Sequence, residues 1–370
     1  MGGALQLTTG LYYFEQDIHY REERYLFDGT KNVAVGGDMD HKTWGVFVNN
    51  DYSITDALTL TAGIRYTSEK KDSQVIVGSA DGSTPECEDV ASFNCEFRDL
   101  NGSWTNWTPK LGFNYALNDD ALLYAFWSKG FRSGGVNFRN TKPRDKFPIE
   151  GIAPGPTKEE GQNVYEIGIK SELFDRRLRL NASYFYNTID DIQRELNQSD
   201  ADVVVLQGTV NAGDVTIQGV EVDFVALLGD NFALNGSIGW LQGRYTEINP
   251  EYDDRLALKG DLPRLSPWTA SLGATYDMTL GDKGSLTLRA SYSFRDRAAY
   301  NDINSLYFKQ QHEVGASINY LSPDEHWKVS LFGKNLNDET RYGNLLGVGN
   351  WVAGPMQKGR TFGVEVDYTY

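Results

Sequence analysis

The last ten residues, Thr361-Phe-Gly-Val-Glu-Val-Asp-Tyr-Thr-Tyr370, say most about the fold. Successive side chains of an extended strand point to opposite faces. One face of this segment is therefore wholly apolar or aromatic, with Phe362, Val364, Val366, Tyr368 and Tyr370. The other face carries Thr, Gly, Glu and Asp. Such a strand is typical of a membrane-crossing β-strand with lipid on one side and a polar interior on the other.

The same alternation recurs along the chain, for example over residues 58–67, 178–186, 268–276 and 286–294, and helical periodicity is nearly absent. Most of these runs reach the roughly 9–11 residues that a tilted membrane-crossing strand requires, whereas strands of soluble proteins are commonly about 5–6 residues long. The pattern predicts fourteen strands, at about 4–17, 43–53, 58–69, 104–115, 121–130, 162–172, 177–190, 213–227, 232–247, 266–278, 285–297, 309–320, 326–335 and 360–370.

The connections between these strands alternate between two kinds. Short ones are rich in Asp, Asn and Gly, which is turn chemistry, and fall at 53–57, 116–120, 173–177, 228–231, 280–284 and 322–325. Long ones cover roughly 18–42, 70–103, 131–161, 191–212, 248–265, 298–308 and 336–359. We therefore predict an all-β, antiparallel transmembrane β-barrel of about 14 strands, with short periplasmic turns and long extracellular loops, in the outer membrane of a Gram-negative bacterium.

Aromatic residues near the strand ends support this interpretation, because barrels carry aromatic girdles at both membrane interfaces. Tryptophans concentrate near the predicted loop ends, at Trp44, Trp104, Trp107, Trp127 and Trp268. Tyrosines lie near the opposite ends, at Tyr52, Tyr115, Tyr276, Tyr320 and Tyr370.

Composition excludes several classes of function. The net charge of −16 argues against nucleic acid as a partner, since phosphate binding needs clustered Lys and Arg. The four His residues lack metal-ligand spacing, and the paired acidic residues suit solvated turns, so we predict no metal site and no cofactor. His19 and His41 have no accompanying nucleophile motif, so we predict that the protein is not an enzyme.

Cys87 and Cys95 lie in one polar segment, which suits a short disulfide loop exposed to an oxidising compartment. Two unpaired thiols are the alternative, because spacing alone does not fix the geometry. The N-terminus has neither a basic n-region nor an apolar h-region. For an exported protein, we therefore expect the front of the gene to be missing.

Six stretches, in order, resemble the TonB-dependent outer-membrane receptors. They are Trp107-Thr-Pro-Lys-Leu-Gly-Phe-Asn-Tyr115, Tyr124-Ala-Phe-Trp-Ser-Lys-Gly-Phe-Arg-Ser-Gly-Gly-Val-Asn-Phe138, Tyr165-Glu-Ile-Gly-Ile-Lys-Ser-Glu-Leu-Phe-Asp175, Asn211-Ala-Gly-Asp-Val-Thr-Ile-Gln-Gly-Val-Glu-Val-Asp223, Lys334-Asn-Leu-Asn-Asp-Glu-Thr-Arg-Tyr342 and Gly359-Arg-Thr-Phe-Gly363. The resemblance is weaker over residues 1–106.

The resemblance implies a receptor for energy-coupled uptake of a scarce, bulky nutrient, with an iron–siderophore complex the first expectation. Receptors of this kind close about 22 strands around a plugged lumen. Here we assign residues 1–370 to the barrel, without a plug domain or energy-coupling box. We therefore expect an incomplete transporter, with TonB as a partner only if missing sequence supplies those parts. Two alternatives stay open: a closed 14-stranded barrel acting as a passive pore, and a soluble secreted β-rich binding module.

Ligand contacts are expected from the long loops, where aromatic side chains give rigid contact area and Arg binds negatively charged oxygens. The candidates are Phe131, Arg132, Phe138, Arg139, Tyr252, Arg255, Tyr300, Arg341, Tyr342 and Trp351. The resemblance also implies a C-terminal signal read by the barrel-assembly machinery, formed by Thr361, Gly363, Val366, Tyr368 and Tyr370. Outer-membrane lipid is the remaining expected partner.

Overall fold

A computed structural model describes residues 4–26, 31–76, 87–89, 94–95, 97–139, 155–198, 206–250, 260–302, 304–348 and 351–370. Its main element is a 14-stranded antiparallel sheet in which strands hydrogen bond in the order of the chain. The strands are β1 Leu5–Leu26, β2 Lys31–Ser53, β3 Leu58–Ile76, β4 Phe97–Asn118, β5 Ala121–Arg132, β6 Glu160–Leu173, β7 Leu178–Asp190, β8 Gly213–Leu227, β9 Phe232–Ile248, β10 Trp268–Thr279, β11 Ser285–Arg295, β12 Gln311–Leu321, β13 Trp327–Lys334 and β14 Thr361–Tyr368.

The number and order of the predicted strands are confirmed, but the first four strands are longer than predicted. β1 and β2 run through most of the predicted loop 18–42, and β3 and β4 run into the predicted loop 70–103. Sequence alternation shows where a strand stops having an apolar face. It does not show where the backbone stops pairing, and that pairing continues here among polar side chains.

Register explains why the sequence pattern ends early in these four strands. Asp17, Asp40 and Asp72 are aligned across β1, β2 and β3, on the same face as the aromatic Trp44, which lies four residues from Asp40 towards the turn end. The apolar row therefore gives way to carboxylates while the hydrogen-bonded ladder goes on. Side chains of this kind are compatible with water on that face, so the first four strands extend beyond the apolar band.

The two faces of the sheet differ in polarity across all fourteen strands. One row joins Tyr184, Val220, Trp240 and Trp268 through four neighbouring strands. The adjacent row on the opposite face joins Ser183, Glu221, Gly239 and Thr269. We call these the apolar face and the polar face.

Large side chains of the apolar face are exposed rather than packed into a core. Leu272 in β10, for example, is 47% exposed. An exposed apolar band of this extent is not compatible with a soluble secreted module. One predicted girdle residue, Trp104, lies instead on the polar face, since it is the register partner of Glu69 and its ring lies below the Lys71 ammonium.

The connections also follow the prediction in outline. Short turns link the strands at one end, which we call the turn end, and long connections lie at the other, the loop end. The described parts of the long connections contain small hairpins, formed by Cys87–Asp89 with Asn94–Cys95, Gln193–Gln198 with Leu206–Asn211, Ala298–Ala299 with Tyr307–Phe308, and Leu346–Val348 with Trp351–Ala353. Within the described residues the chain has no helix suited to crossing a membrane.

The sheet has two edges, because no ladder joins β1 to β14 among the described strands. Side chains at the edges are correspondingly more exposed: Leu11 of β1 is 87% exposed, whereas Ile318 of β12 is 48% exposed. The described strands are thus fourteen consecutive strands of a barrel wall, and they do not form the closed ring that the passive-pore alternative requires.

Candidate ligand-binding site at the loop end

A seven-residue segment that follows β5 organises the loop end. We call residues Ser133–Arg139 the strap. It begins where β5 ends and makes contacts on the polar face with β3 and then with β1. It carries two of the predicted ligand-binding residues, Phe138 and Arg139.

The first part of the strap is fixed to β3 by charged and polar side chains. Lys71 Nζ donates hydrogen bonds of 2.8 Å to both Ser133 Oγ and the Gly134 carbonyl oxygen, and it lies 2.9 Å from Glu69 Oε1. Ser133 Oγ in turn donates to Glu69, whose carboxylate also lies 2.9 Å from His41 Nε2. These residues form a partly buried polar network, which we call the Lys71 anchor.

The other end of the strap packs against β1. The Phe138 ring stacks on the Tyr20 ring, with centroids 6.1 Å apart and an interplanar angle of 17°. Arg139 Nε donates to Tyr20 Oη at 2.8 Å and lies 3.2 Å from a carboxylate oxygen of Glu22. Burial, together with donation of a hydrogen bond to Glu22, raises the pKa of Tyr20, so the phenol keeps its proton. We call these four residues the Tyr20 cluster.

The strap is also joined to the hairpin that follows β7. Asn137 donates to the Thr209 carbonyl oxygen at 3.1 Å and accepts from the Thr209 backbone N–H at 2.7 Å. A cleft of about 260 Å³ lies between strap and hairpin. Glu195 and Gly208 line its hairpin side, and Tyr20, Phe138 and Arg139 line the other.

Tyr300 lies in a second group at the loop end. Its ring meets the Phe308 ring edge-on, with centroids 5.5 Å apart, and the Arg264 guanidinium lies 5.8 Å from its centroid. Nearby, Arg194 of the hairpin and Tyr245 of β9 both donate to Asp302, at 2.7 and 3.2 Å. Tyr300 therefore lies beside both an aromatic ring and a cation.

Arg341 is engaged in an ion pair with Glu313 of β12. Around it, the family-like Asn-Leu-Asn-Asp-Glu stretch closes the loop end of β12, β13 and β14. Asn335 is 2% exposed, and its side-chain amide exchanges two hydrogen bonds of 2.9 Å with the backbone of Glu339. Asp338 receives the Arg360 backbone N–H at 3.0 Å and its guanidinium at 3.2 Å. These contacts make the motif a structural cap.

The remaining predicted ligand residues are not brought into either group. Phe131 lies on the apolar face, as the register partner of Gly161, and Arg132 is the exposed last residue of β5. Tyr342 is half-exposed and forms an isolated bridge with Met356. Tyr252 and Arg255 lie outside the described residues, as does the Trp351 side chain. A role in ligand binding stays a prediction for all ten candidates.

The predicted assembly signal and disulfide have clear positions but untested roles. Val366 and Tyr368 lie on the apolar face of β14, with Tyr370 just beyond them, and Thr361 and Gly363 lie on the polar face. Cys87 and Cys95 are register partners in their hairpin. Their side chains lie outside the described part of the chain, so the bond stays a prediction.

The sequence reasoning missed the residues that hold the strap. Lys71 and Tyr20 fall in segments assigned to loops. The available signal was the row of polar residues at every second position of β3, which includes Glu69 and Lys71 and continues the polar face beyond the predicted strand end.

Comparison with known proteins identifies the fold family. A family model described as the TonB-dependent receptor-like β-barrel matches residues 1–336. The chain belongs to this family. The fold agrees with that of the ferric yersiniabactin uptake receptor FyuA from Yersinia pestis, with a TM-score of 0.81 and 18% identity over 100% of this chain and 52% of that one. The siderophore receptor PiuA from Acinetobacter baumannii gives a TM-score of 0.75 with 15% identity, over 100% of this chain and 54% of that one.

Among curated proteins, the chain is 24% identical over 342 residues to the ferric-pyoverdine M114 receptor PbuA of Pseudomonas sp. (strain M114). The match covers 90% of this chain and 37% of that receptor. A ferric-pyoverdine BN7/BN8 receptor of Pseudomonas putida is 23% identical, over 80% of this chain and 33% of its own length. The chain thus spans about a third of the curated relatives it matches and about half of the solved receptors. These relatives are receptors and transporters.

Proposed function

We propose that this chain supplies fourteen strands of the wall of an outer-membrane receptor that takes up a ferric siderophore. The observation that carries the proposal is that the two curated relatives reported above, which match across most of the chain, are both named as ferric-pyoverdine receptors. Energy coupling through TonB is part of the same proposal and belongs to the whole receptor. Lipid contact along the apolar face and recognition of β14 by the barrel-assembly machinery are likewise proposed.

The geometry of the loop end supports this function. The Tyr20 cluster offers two stacked rings and the Arg139 side chain, which is 44% exposed, beside an open cleft. Drug-sized ligands usually occupy about 300–1,000 Å³, so the cleft of about 260 Å³ suits one arm of a bulky chelate and not the whole molecule. The rest of the ligand would then contact other loops, including the group around Tyr300.

The proposal is tested by ligand binding to the receptor purified from outer membranes. Ferric pyoverdine is titrated against the wild type and the variants Phe138→Ala and Arg139→Ala, and Kd is measured by fluorescence quenching. Central aromatic and Arg contacts are each worth about 2 kcal/mol or more. We therefore expect Kd to rise roughly 30-fold or more in each variant.

Arg176→Ala is the matched control, because Arg176 lies in a turn at the opposite end of the sheet and is 74% exposed. Its Kd should equal that of the wild type. A panel of hydroxamate and catecholate ferric siderophores is titrated alongside. The proposal fails if the wild type binds none of these chelates.

A further inference from the structure

We propose that Lys71 is a positioning residue, which holds the strap across the polar face and thereby places Phe138 and Arg139 against Tyr20. The Lys71 ammonium has three N–H donors, and three acceptors surround it: Glu69 Oε1 at 2.9 Å and Ser133 Oγ and the Gly134 carbonyl oxygen, each at 2.8 Å. All three donors can therefore be used, and two of the acceptors belong to the strap.

The surroundings of Lys71 favour a structural role over direct contact with a ligand. Its side chain is only 14% exposed, and the ammonium lies 5.3 Å from the centroid of the Trp104 ring. A buried cation is tolerated when it is paired and hydrogen bonded, and Glu69 supplies the opposite charge. The charge of Lys71 is thus used within the protein to attach one segment to another.

Close packing at the anchor fixes the path of the strap. A Cβ atom at Gly134 would lie 1.9 Å from the Thr157 carbonyl oxygen and 2.6 Å from the Trp104 ring, so the backbone approaches closer there than any side chain would allow. Gly135 exchanges hydrogen bonds of 2.8 and 2.9 Å with Thr157. The strap therefore leaves the anchor in a defined direction.

The anchor can restrict the position of Phe138 because only a short length of chain separates them. Phe138 follows Gly134 by four residues, which span at most about 14 Å. Asn137 is held separately by Thr209, so losing the anchor should loosen the start of the strap without detaching all of it. The expected consequence is that Phe138 and Arg139 are held less firmly against Tyr20, on an otherwise intact sheet.

Lys70 provides a matched control for the test. It is the next residue in β3, lies on the opposite face, is 61% exposed and pairs with Asp72 at 2.6 Å. Removing its charge changes the same strand at the neighbouring position. It does not touch the strap contacts described above.

The experiment compares the variants Lys71→Met, Ser133→Ala and Lys70→Met with the wild type, each purified from outer membranes. Amide hydrogen exchange is followed in peptides covering the strap and β3, and Kd and the dissociation rate are measured for ferric pyoverdine. We expect strap exchange to rise at least tenfold in Lys71→Met and Ser133→Ala, with β3 exchange unchanged and ligand dissociation at least tenfold faster. Lys70→Met should match the wild type in every measurement.

The ligand arm rests on the proposed function, whereas the exchange arm does not. Unchanged strap exchange in both Lys71→Met and Ser133→Ala overturns the proposal, as does an equal rise in Lys70→Met. A loosened strap with unchanged ligand dissociation also overturns it. Absence of ferric-siderophore binding by the wild type refutes the proposed function alone, and strap exchange then still decides whether Lys71 is the anchor.

Discussion

Substitution of Leu272 by Arg should strongly destabilise the folded protein, because this side chain lies at the centre of the apolar band. It is four residues from Trp268 and four from Tyr276, at the two ends of β10. At about 3.4 Å per residue it is thus roughly 14 Å from either aromatic row along the strand, near the middle of a tilted crossing. An Arg at the bilayer midplane of a barrel costs about 2–4 kcal/mol.

The adjacent residue gives a control at the same depth on the opposite face. Ser271 lies on the polar face and hydrogen bonds to Ser237 Oγ at 2.7 Å. Ser271→Arg should therefore lower the free energy of unfolding by no more than about 0.5–1.5 kcal/mol, which is the net contribution of one hydrogen bond. Leu272→Ala separates the cost of the charge from the loss of the leucine side chain.

The assay is equilibrium unfolding in phospholipid vesicles, followed by tryptophan fluorescence in guanidinium and by heat-modifiable migration on gels. A cost of 2–4 kcal/mol corresponds to a change of roughly 30- to 1,000-fold in the folding equilibrium, at about 1.4 kcal/mol per factor of ten. If Ser271→Arg proves as destabilising as Leu272→Arg, the assignment of the two faces is wrong.

Three further predictions concern single positions. Gly213→Ala should cost at least about 1–3 kcal/mol in the free energy of unfolding, because φ is +142° and a Cβ would lie 2.2 Å from a carbonyl oxygen of β9; a change within error in the same unfolding assay would contradict this. The Arg360 backbone N–H and guanidinium hold the pKa of Asp338 below its usual value. The stabilisation from the Asp338–Arg360 pair is therefore fully present above about pH 4, the ordinary pKa of an Asp, and it is lost as the pH falls through the lowered pKa. Protection of the amides of residues 335–348 against hydrogen exchange, expressed relative to the intrinsic exchange rate at each pH, should therefore fall in acid, and Asp338→Asn should show that lower protection already at pH 7. Cys87 and Cys95 should resist maleimide labelling in unfolding buffer until a reductant is added, and labelling without reductant would show two free thiols.

The sheet could be predicted from the sequence because the features that determine it are local in the chain. Each strand pairs with its neighbour in the chain, and side-chain alternation shows the two faces directly. The ends of β1 to β4 could not be predicted in this way. Towards the loop end, Asp17, Asp40 and Asp72 take the places of apolar side chains, so the regular alternation that marks a membrane-crossing strand is lost although the backbone stays paired.

The candidate site was only partly predictable, because its contacts join distant parts of the chain. Phe138 and Arg139 were identified as loop residues, but their partner Tyr20 is more than a hundred residues away. Lys71 was missed for the same reason, since the hydrogen-bond acceptors that it meets on the strap come more than sixty residues later in the chain. Periodicity contains no information about such pairs.

The strictly sequential order of the fourteen strands has a mechanical consequence. Within the described 14-stranded sheet, each strand is hydrogen bonded to the strand before it and the strand after it in the chain. Force applied at the C-terminus would therefore remove the wall from β14 inwards, one hairpin after another. The strap would add resistance at two points: at the hairpin after β7, where Asn137 is hydrogen bonded to Thr209, and at β5, which the strap fastens to β3 and β1 across the polar face.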